Sequence, residues 1–233
     1  MTGDIFKKTA LWIAKIGLFI VPFIPLYVSR VLFFPYITGK NFFFRIAVEI
    51  LFALWGVLAL MDRRYRPARS PLVYAMGALF LVLILSTFFS VNPYRSFWSN
   101  YERMEGFVGF AHLFAYFLLL VSVFKTEKNW RWLFYTLAGA GAAISFYGYL
   151  QALGLVAISA QSGPRVDGTF GNASYMAIFV LFSVFISAYL FFKSSEKWQK
   201  IAFSSLFLLE VPVVFLTATR SAILGLIGGF ALA

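Results

Sequence analysis

"YMAIFVLFSVFISAYLFF", residues 175–192, runs for 18 positions without a charged side chain. As a helix rising 1.5 Å per residue it covers about 27 Å, close to the hydrocarbon thickness of a bilayer. It is apolar on every face, so it offers no polar side to water. Runs of the same kind lie on both sides of it, at residues 11–27, 43–60, 72–89, 108–124, 133–153 and 201–216, and an eighth begins near Ala222.

Composition agrees with lipid as the solvent. Hydrophobic residues make up 61% of the 233-residue chain and aromatics 21%. Charged residues make up 12%, about half the usual share of a soluble domain. The expected fold is all-α: a polytopic transmembrane helix bundle of about seven full spans plus the start of an eighth, forming a single transmembrane domain over residues 1–233. No internal repeat or low-complexity tract divides it. The first run follows Lys7 and Lys8 as a secretory signal would, but no small-residue cleavage site follows, so it reads as an uncleaved span. The chain ends about a dozen residues into the eighth run. It is therefore expected to be the N-terminal part of a longer protein. With no cysteine, disulfides and thiolate metal sites are excluded.

A net charge of +11 raises nucleic acid as a partner, but the placement of the charge answers that. The N-terminal segment (Lys7, Lys8, Lys15), "MDRRYRPARS", "KTEKNWRW" and "KSSEKWQK" hold thirteen of the 20 Lys and Arg. These are alternate connections, so the positive-inside rule puts them and the N-terminus in the cytoplasm. The charge is a topology signal, and no nucleic-acid partner is expected. Trp130, Trp132 and Trp198 beside the basic connections, and Trp98 in an opposite one, suit membrane interfaces.

Seven basic residues remain for the outer side: Arg30, Lys40, Arg45, Arg95, Arg103, Arg165 and Arg220. Arginine's planar fork binds phosphate bidentately, so outer arginines at a membrane surface suit a lipid-linked phosphate or diphosphate. Local pairing is the competing reading: Arg103 with Glu102 or Glu105, Arg165 with Asp167. Arg220, in "TATRS", has no carboxylate among its sequence neighbours and either snorkels to headgroups or meets an anion. In "GTFGNASY", Gly168 and Gly171 permit a tight turn and Asn172 or Ser174 can cap a helix beginning near Tyr175, whose free N–H groups face outward.

Three further polar residues lie within spans. Glu210 sits beside Pro212 and is either a functional carboxylate or a hydrogen-bonded packing residue. Glu49 follows Arg45 by four residues on one helix face, where the two are expected to neutralise each other. His112, the single histidine, is placed where a base could act, but one histidine on an aromatic-rich helix reads first as a hydrogen-bonding residue. Phosphate-loop, dinucleotide, zinc-protease and nucleophile-elbow motifs are all absent. No metal site and no cofactor is expected.

"GTFGNASYMA" followed by "LTATRSAILGLIGG" resembles the front half of the bacterial O-antigen ligase and O-antigen polymerase superfamily. "SFWSNYERMEGF" resembles the outer loop before that family's middle spans, so the likeness begins near Asn92. In the family an outward-facing arginine opens an R-x-x-x-L motif, matched here by Arg220 to Leu224. The resemblance implies an inner-membrane, metal-independent glycosyltransferase. It would take a glycan from undecaprenyl diphosphate to a lipid A core, glycan or protein acceptor on the periplasmic side. Arg220, Arg165, Arg103 and Arg95 would then hold the diphosphate, supported by Asn172, Tyr175, Glu210 and Leu224. The family's activating histidine would lie beyond residue 233, so no catalytic residue is assigned in this chain and the chain alone is expected to be inactive. A polyprenyl-glycan flippase or small-molecule transporter would also line a path with arginines and a buried glutamate. A noncatalytic scaffold would leave the outer arginines unexplained.

Overall fold

The computed structural model describes residues 2–29, 31–100 and 103–232. The described residues are helical with short connections, and they form an all-α bundle of a multi-pass membrane protein. Six helices are long and apolar enough to cross a membrane, and two shorter apolar ones, Phe107–Val123 and Arg220–Leu232, fall on the fourth and eighth runs of the sequence. The chain divides into two compact units, residues 1–24 with 30–130 and residues 25–29 with 131–233.

In the first unit, α1 (Thr2–Ile20) presents Ala10, Ala14 and Leu18 at intervals of four, one buried stripe. That stripe packs on α2 (Thr38–Met61), which buries Val48, Leu51 and Leu58. Gly17 makes the approach close, because a Cβ there would meet the Leu51 side chain at 2.5 Å. Next comes α3 (Pro71–Phe88), started by Pro71 at its first turn and by the Ser70 hydroxyl, which accepts from the Val73 N–H at 3.3 Å. None of its residues is buried by the chain, as suits a helix whose surroundings are lipid. A short helix, α4 (Pro93–Trp98), leads into α5 (Phe107–Val123), where Phe80 of α3 stacks on Phe107 and Phe114 with ring centroids 5.3 and 4.4 Å apart. In the basic turn after α2, the Arg64 guanidinium hydrogen-bonds the Asp62 carboxylate and draws its carboxyl down to about 2.

The second unit holds α6 (Glu127–Ala152) from Arg131 onward, α7 (Ala173–Lys193), α8 (Lys197–Leu216) and α9 (Arg220–Leu232). On α7, Met176, Ala177, Val180, Val184 and Leu190 form the inward stripe, while Ile178, Phe182, Tyr189 and Phe192 point outward. The core joins this stripe to Ile144 of α6, Val213 and Val214 of α8, Ala222 and Leu226 of α9, and Val166 of the α6–α7 connection.

Glu210 lies inside this unit, fully buried. Its Oε1 accepts from the Ser183 hydroxyl at 2.6 Å and its Oε2 from Ser187 at 3.0 Å. Gly141 of α6 faces the cluster, and a Cβ there would fall 1.8 Å from Ser183 Oγ and 2.7 Å from Glu210 Oε1. Each carboxylate oxygen of Glu210 thus accepts from one serine of α7, as a hydrogen-bonded packing residue would. Pro212 stands inside α8 without ending it, and beside it the Tyr149 hydroxyl donates to the Leu209 carbonyl at 2.9 Å, tying α6 to α8. Gly141→Ala is expected to destabilise the protein by about 1–3 kcal/mol through overpacking. Glu210→Leu, which removes the acceptor of two buried hydroxyls, should cost about 1–3 kcal/mol, whereas Glu210→Gln keeps the Ser183 bond at its carbonyl oxygen, reverses the Ser187 bond so that the amide donates to the hydroxyl, and should cost less. Reversible unfolding in detergent measures all three.

Candidate functional site

The α6–α7 connection is built around one buried carboxylate. Gln151, at the end of α6, donates from Nε2 to Asp167 Oδ1 at 2.8 Å and accepts at Oε1 from the N–H groups of Asp167 (3.1 Å) and Gly168 (2.7 Å). Asp167 Oδ2 accepts from the Ser159 N–H at 3.1 Å and from the Ser159 hydroxyl. Gly168 takes φ 56°, and Gly171 φ 64°, conformations open to glycine. Asn172 then caps α7 by accepting from the Ser174 N–H at 2.9 Å. Between these residues the Thr169 hydroxyl donates to the Pro25 carbonyl at 2.6 Å.

This network corrects the pairing of Arg165 with Asp167. Asp167 is 1% exposed and taken by Gln151 and Ser159, while the Arg165 Nε donates to the Ser162 carbonyl at 3.3 Å. Among the described residues, Arg165 meets no carboxylate. Its neighbour Val166 is inserted in the same buried cluster as Ala222, two residues past Arg220. The two arginine-bearing segments are thus anchored in one core.

Arg220 is the first residue of α9. The turn before it is short and constrained: Thr217 is buried with its hydroxyl donating to the Val214 carbonyl at 2.7 Å, and Ala218 stands at φ 48°. A non-glycine residue in that region costs about 1–2 kcal/mol. The Thr219 hydroxyl turns back to the Thr217 carbonyl at 3.3 Å instead of capping the helix. Among the described residues the N–H groups of Arg220 and Ser221 meet no acceptor and the exposed Arg220 side chain has no ion-pair partner. Leu224 and Ile227, 69% and 61% exposed, continue the Arg220 face down the helix. Tyr175 is exposed on the first turn of α7.

Arg95 and Arg103 belong to the first unit. Arg95 is exposed on α4, which Asn92 caps. Arg103 has its N–H bonded to Asn100 Oδ1 at 3.1 Å and its carbonyl to Asn41 Nδ2 at 2.7 Å. Arg30 and Glu102 lie outside the described residues.

A second correction concerns Arg45 and Glu49. The Arg45 guanidinium donates to the Met104 carbonyl, and Glu49 instead meets His112, with Oε1 3.0 Å from Nε2. His112 Nδ1 lies 2.7 Å from the Val108 carbonyl. Gln151, Ser159 and the Glu49–His112 contact were not anticipated from the sequence; an amide at the end of a long apolar helix is the one local signal among them.

No protein-family model, curated protein or solved structure matches the chain. What fold and site define is a multi-pass helical membrane protein with an arginine at a helix head that has no ion-pair partner among the described residues.

Gln151→Ala would strip Asp167 of one partner and leave the Asp167 and Gly168 N–H groups unanswered. A loss of about 1–3 kcal/mol is expected, with faster proteolysis confined to residues 153–172.

Proposed function

We propose that the chain carries the donor-side portion of a glycosyltransferase that moves a glycan from undecaprenyl diphosphate to a glycan, lipid or protein acceptor. One observation supports this above others: Arg220, with no carboxylate partner among the described residues, stands over an exposed apolar face of α9. A charged head above an apolar stripe matches a diphosphate on a polyprenyl tail. The open N–H groups at the head of α9 add donors for phosphate oxygens, and the guanidinium stays charged at every physiological pH. Charge that develops on the leaving diphosphate is stabilised by such fixed donors without a metal ion. Arg165 is the second candidate contact, since its neighbour shares a core with α9. The protein would lie in the bacterial inner membrane with its N-terminus in the cytoplasm, a placement supported by the basic bias of alternate connections.

Binding of undecaprenyl diphosphate to the chain in lipid nanodiscs, read by native mass spectrometry with undecaprenol as the phosphate-free control, tests the reading. Arg220→Ala should weaken diphosphate binding about ten- to hundredfold, the worth of a charge-assisted hydrogen-bonded contact. Arg220→Lys should recover part of it, and undecaprenol binding should not change. Equal binding of diphosphate by wild type and Arg220→Ala would refute the site. Loss of glycan transfer in Arg220→Ala would extend binding to catalysis.

A further inference from the structure

A cavity of about 260 Å³ opens where the end of α3 meets α4 and the head of α5, within the first unit. Hydroxyls line it on one side, from Ser86, Thr87, Ser90 and Ser96, together with the Glu105 carboxylate. α3 begins just after the basic turn that follows α2, so the cavity lies at the far end of that span.

The hydrogens of these hydroxyls are already spent. Each hydroxyl has one to give, and a carbonyl oxygen only accepts. Thr87 donates to the Leu83 carbonyl at 2.8 Å, and Ser90 donates to the Thr87 carbonyl at 2.9 Å. Ser90 has none left, so the 2.8 Å contact between the Ser96 and Ser90 hydroxyls is donated by Ser96. Three of the four hydroxyls therefore keep only lone pairs for a ligand, and Ser86 alone is free to turn either way. Glu105 adds a group that accepts when ionised. It is exposed, and among the described residues no hydrogen bond or ion pair answers its carboxylate. Acceptors gathered around one carboxylate call for a ligand with positive charge and several hydrogens, which is a primary ammonium. An alcohol brings one hydrogen per oxygen and no charge, and a quaternary ammonium brings the charge without the hydrogens.

Two further features continue the site toward lipid. The N–H groups of Phe107 and Val108, in the first turn of α5, meet no acceptor among the described residues, and Gly106 before them has no side chain to cap them. A helix head in that state favours a phosphate oxygen. Further into the span, Phe110 and Leu113, 48% and 54% exposed, run as one apolar strip down α5 beside α3. Acceptors, helix head and apolar strip thus follow in the order in which a phospholipid presents ammonium, phosphate and acyl chain. We propose that this cavity binds the headgroup of phosphatidylethanolamine, with the ammonium held by Glu105 and the hydroxyl oxygens. The site lies in the first unit and does not depend on the diphosphate reading.

The test compares headgroups that differ in one property at a time. The chain is placed in nanodiscs with equal parts of phosphatidylethanolamine, phosphatidylcholine and phosphatidylglycerol, and the lipids retained on release into detergent are counted by native mass spectrometry. The wild type should keep phosphatidylethanolamine about tenfold over phosphatidylcholine, which has the same net charge but no N–H, the margin of one charge-assisted hydrogen bond. It should show a similar margin over phosphatidylglycerol, whose headgroup has hydroxyls but no ammonium. Glu105→Gln, which removes the charge, and Ser86→Leu, which fills the cavity from a helix with no buried residue, should each abolish the preference while helical circular dichroism stays unchanged. Glycerophosphoethanolamine, the same headgroup without acyl chains, should not be retained, and its retention in place of the lipid would assign the cavity to a soluble ligand. Equal retention of phosphatidylethanolamine and phosphatidylcholine by the wild type, or a preference that survives in both variants, would overturn the proposal.

Discussion

Hydrocarbon offers no water to a hydroxyl, an amide or a carboxylate, so a polar group carried at depth has to be answered from within the protein. Much of this structure follows from that constraint. Glu210 takes hydroxyls from two turns of α7, Glu49 takes the ring of His112, and Tyr149 takes a main-chain carbonyl beside Pro212. Each answer crosses between helices, so each also fixes which helices are neighbours and in what register. Gly141 is the counterpart on the packing side, since only a residue without a side chain lets α6 come against the Ser183–Glu210 contact. Among the described residues, Ser122 and Ser145 are buried with hydroxyls that have no partner. A helical serine reaches the carbonyl of the preceding turn by rotating about one bond, the answer Ser194 has taken with Leu190.

The connections obey a different constraint, because they meet water and must still hold shape. The α6–α7 segment does so with one aspartate and one glutamine, which bond each other and whose four polar atoms meet six further main-chain and side-chain groups of the loop. The α8–α9 turn does so by shortness, with Ala218 in a costly conformation held by buried threonines on both sides. Connections of this kind place Arg165 and Arg220 on main chain that buried side chains and internal hydrogen bonds already hold in one conformation.

The helices were legible because hydropathy integrates over 18 or more residues, and a run such as 175–192 has one solution in lipid. Their ends were legible where a cap is local, as with Asn172 before α7. Arg220 stood out because four neighbours without charge leave a guanidinium nothing nearby to pair with. The failures share a cause. Arg165 and Asp167, and Arg45 and Glu49, are close in sequence, and local rules pair what is close. Asp167 is instead met by a residue 16 positions away and Glu49 by one 63 positions away. Partner choice at those distances is decided by which helices pack together, and a uniformly apolar helix carries little record of that in its own sequence.

The helices are unequal in length, and the membrane must accommodate the difference. α3 and α5, with 18 and 17 residues, reach about 27 and 26 Å, whereas α6, with 26, reaches about 39 Å. The excess in α6 is its first turn and a half, where Glu127, Lys128, Asn129 and Arg131 belong among headgroups. The two short helices have no such margin, so the hydrocarbon fits them only where it is a few ångströms thinner than average. Bilayer thickness therefore acts on this protein unevenly: thick, sterol-like membranes would strain α3 and α5 first, and thin ones would leave their packing undisturbed.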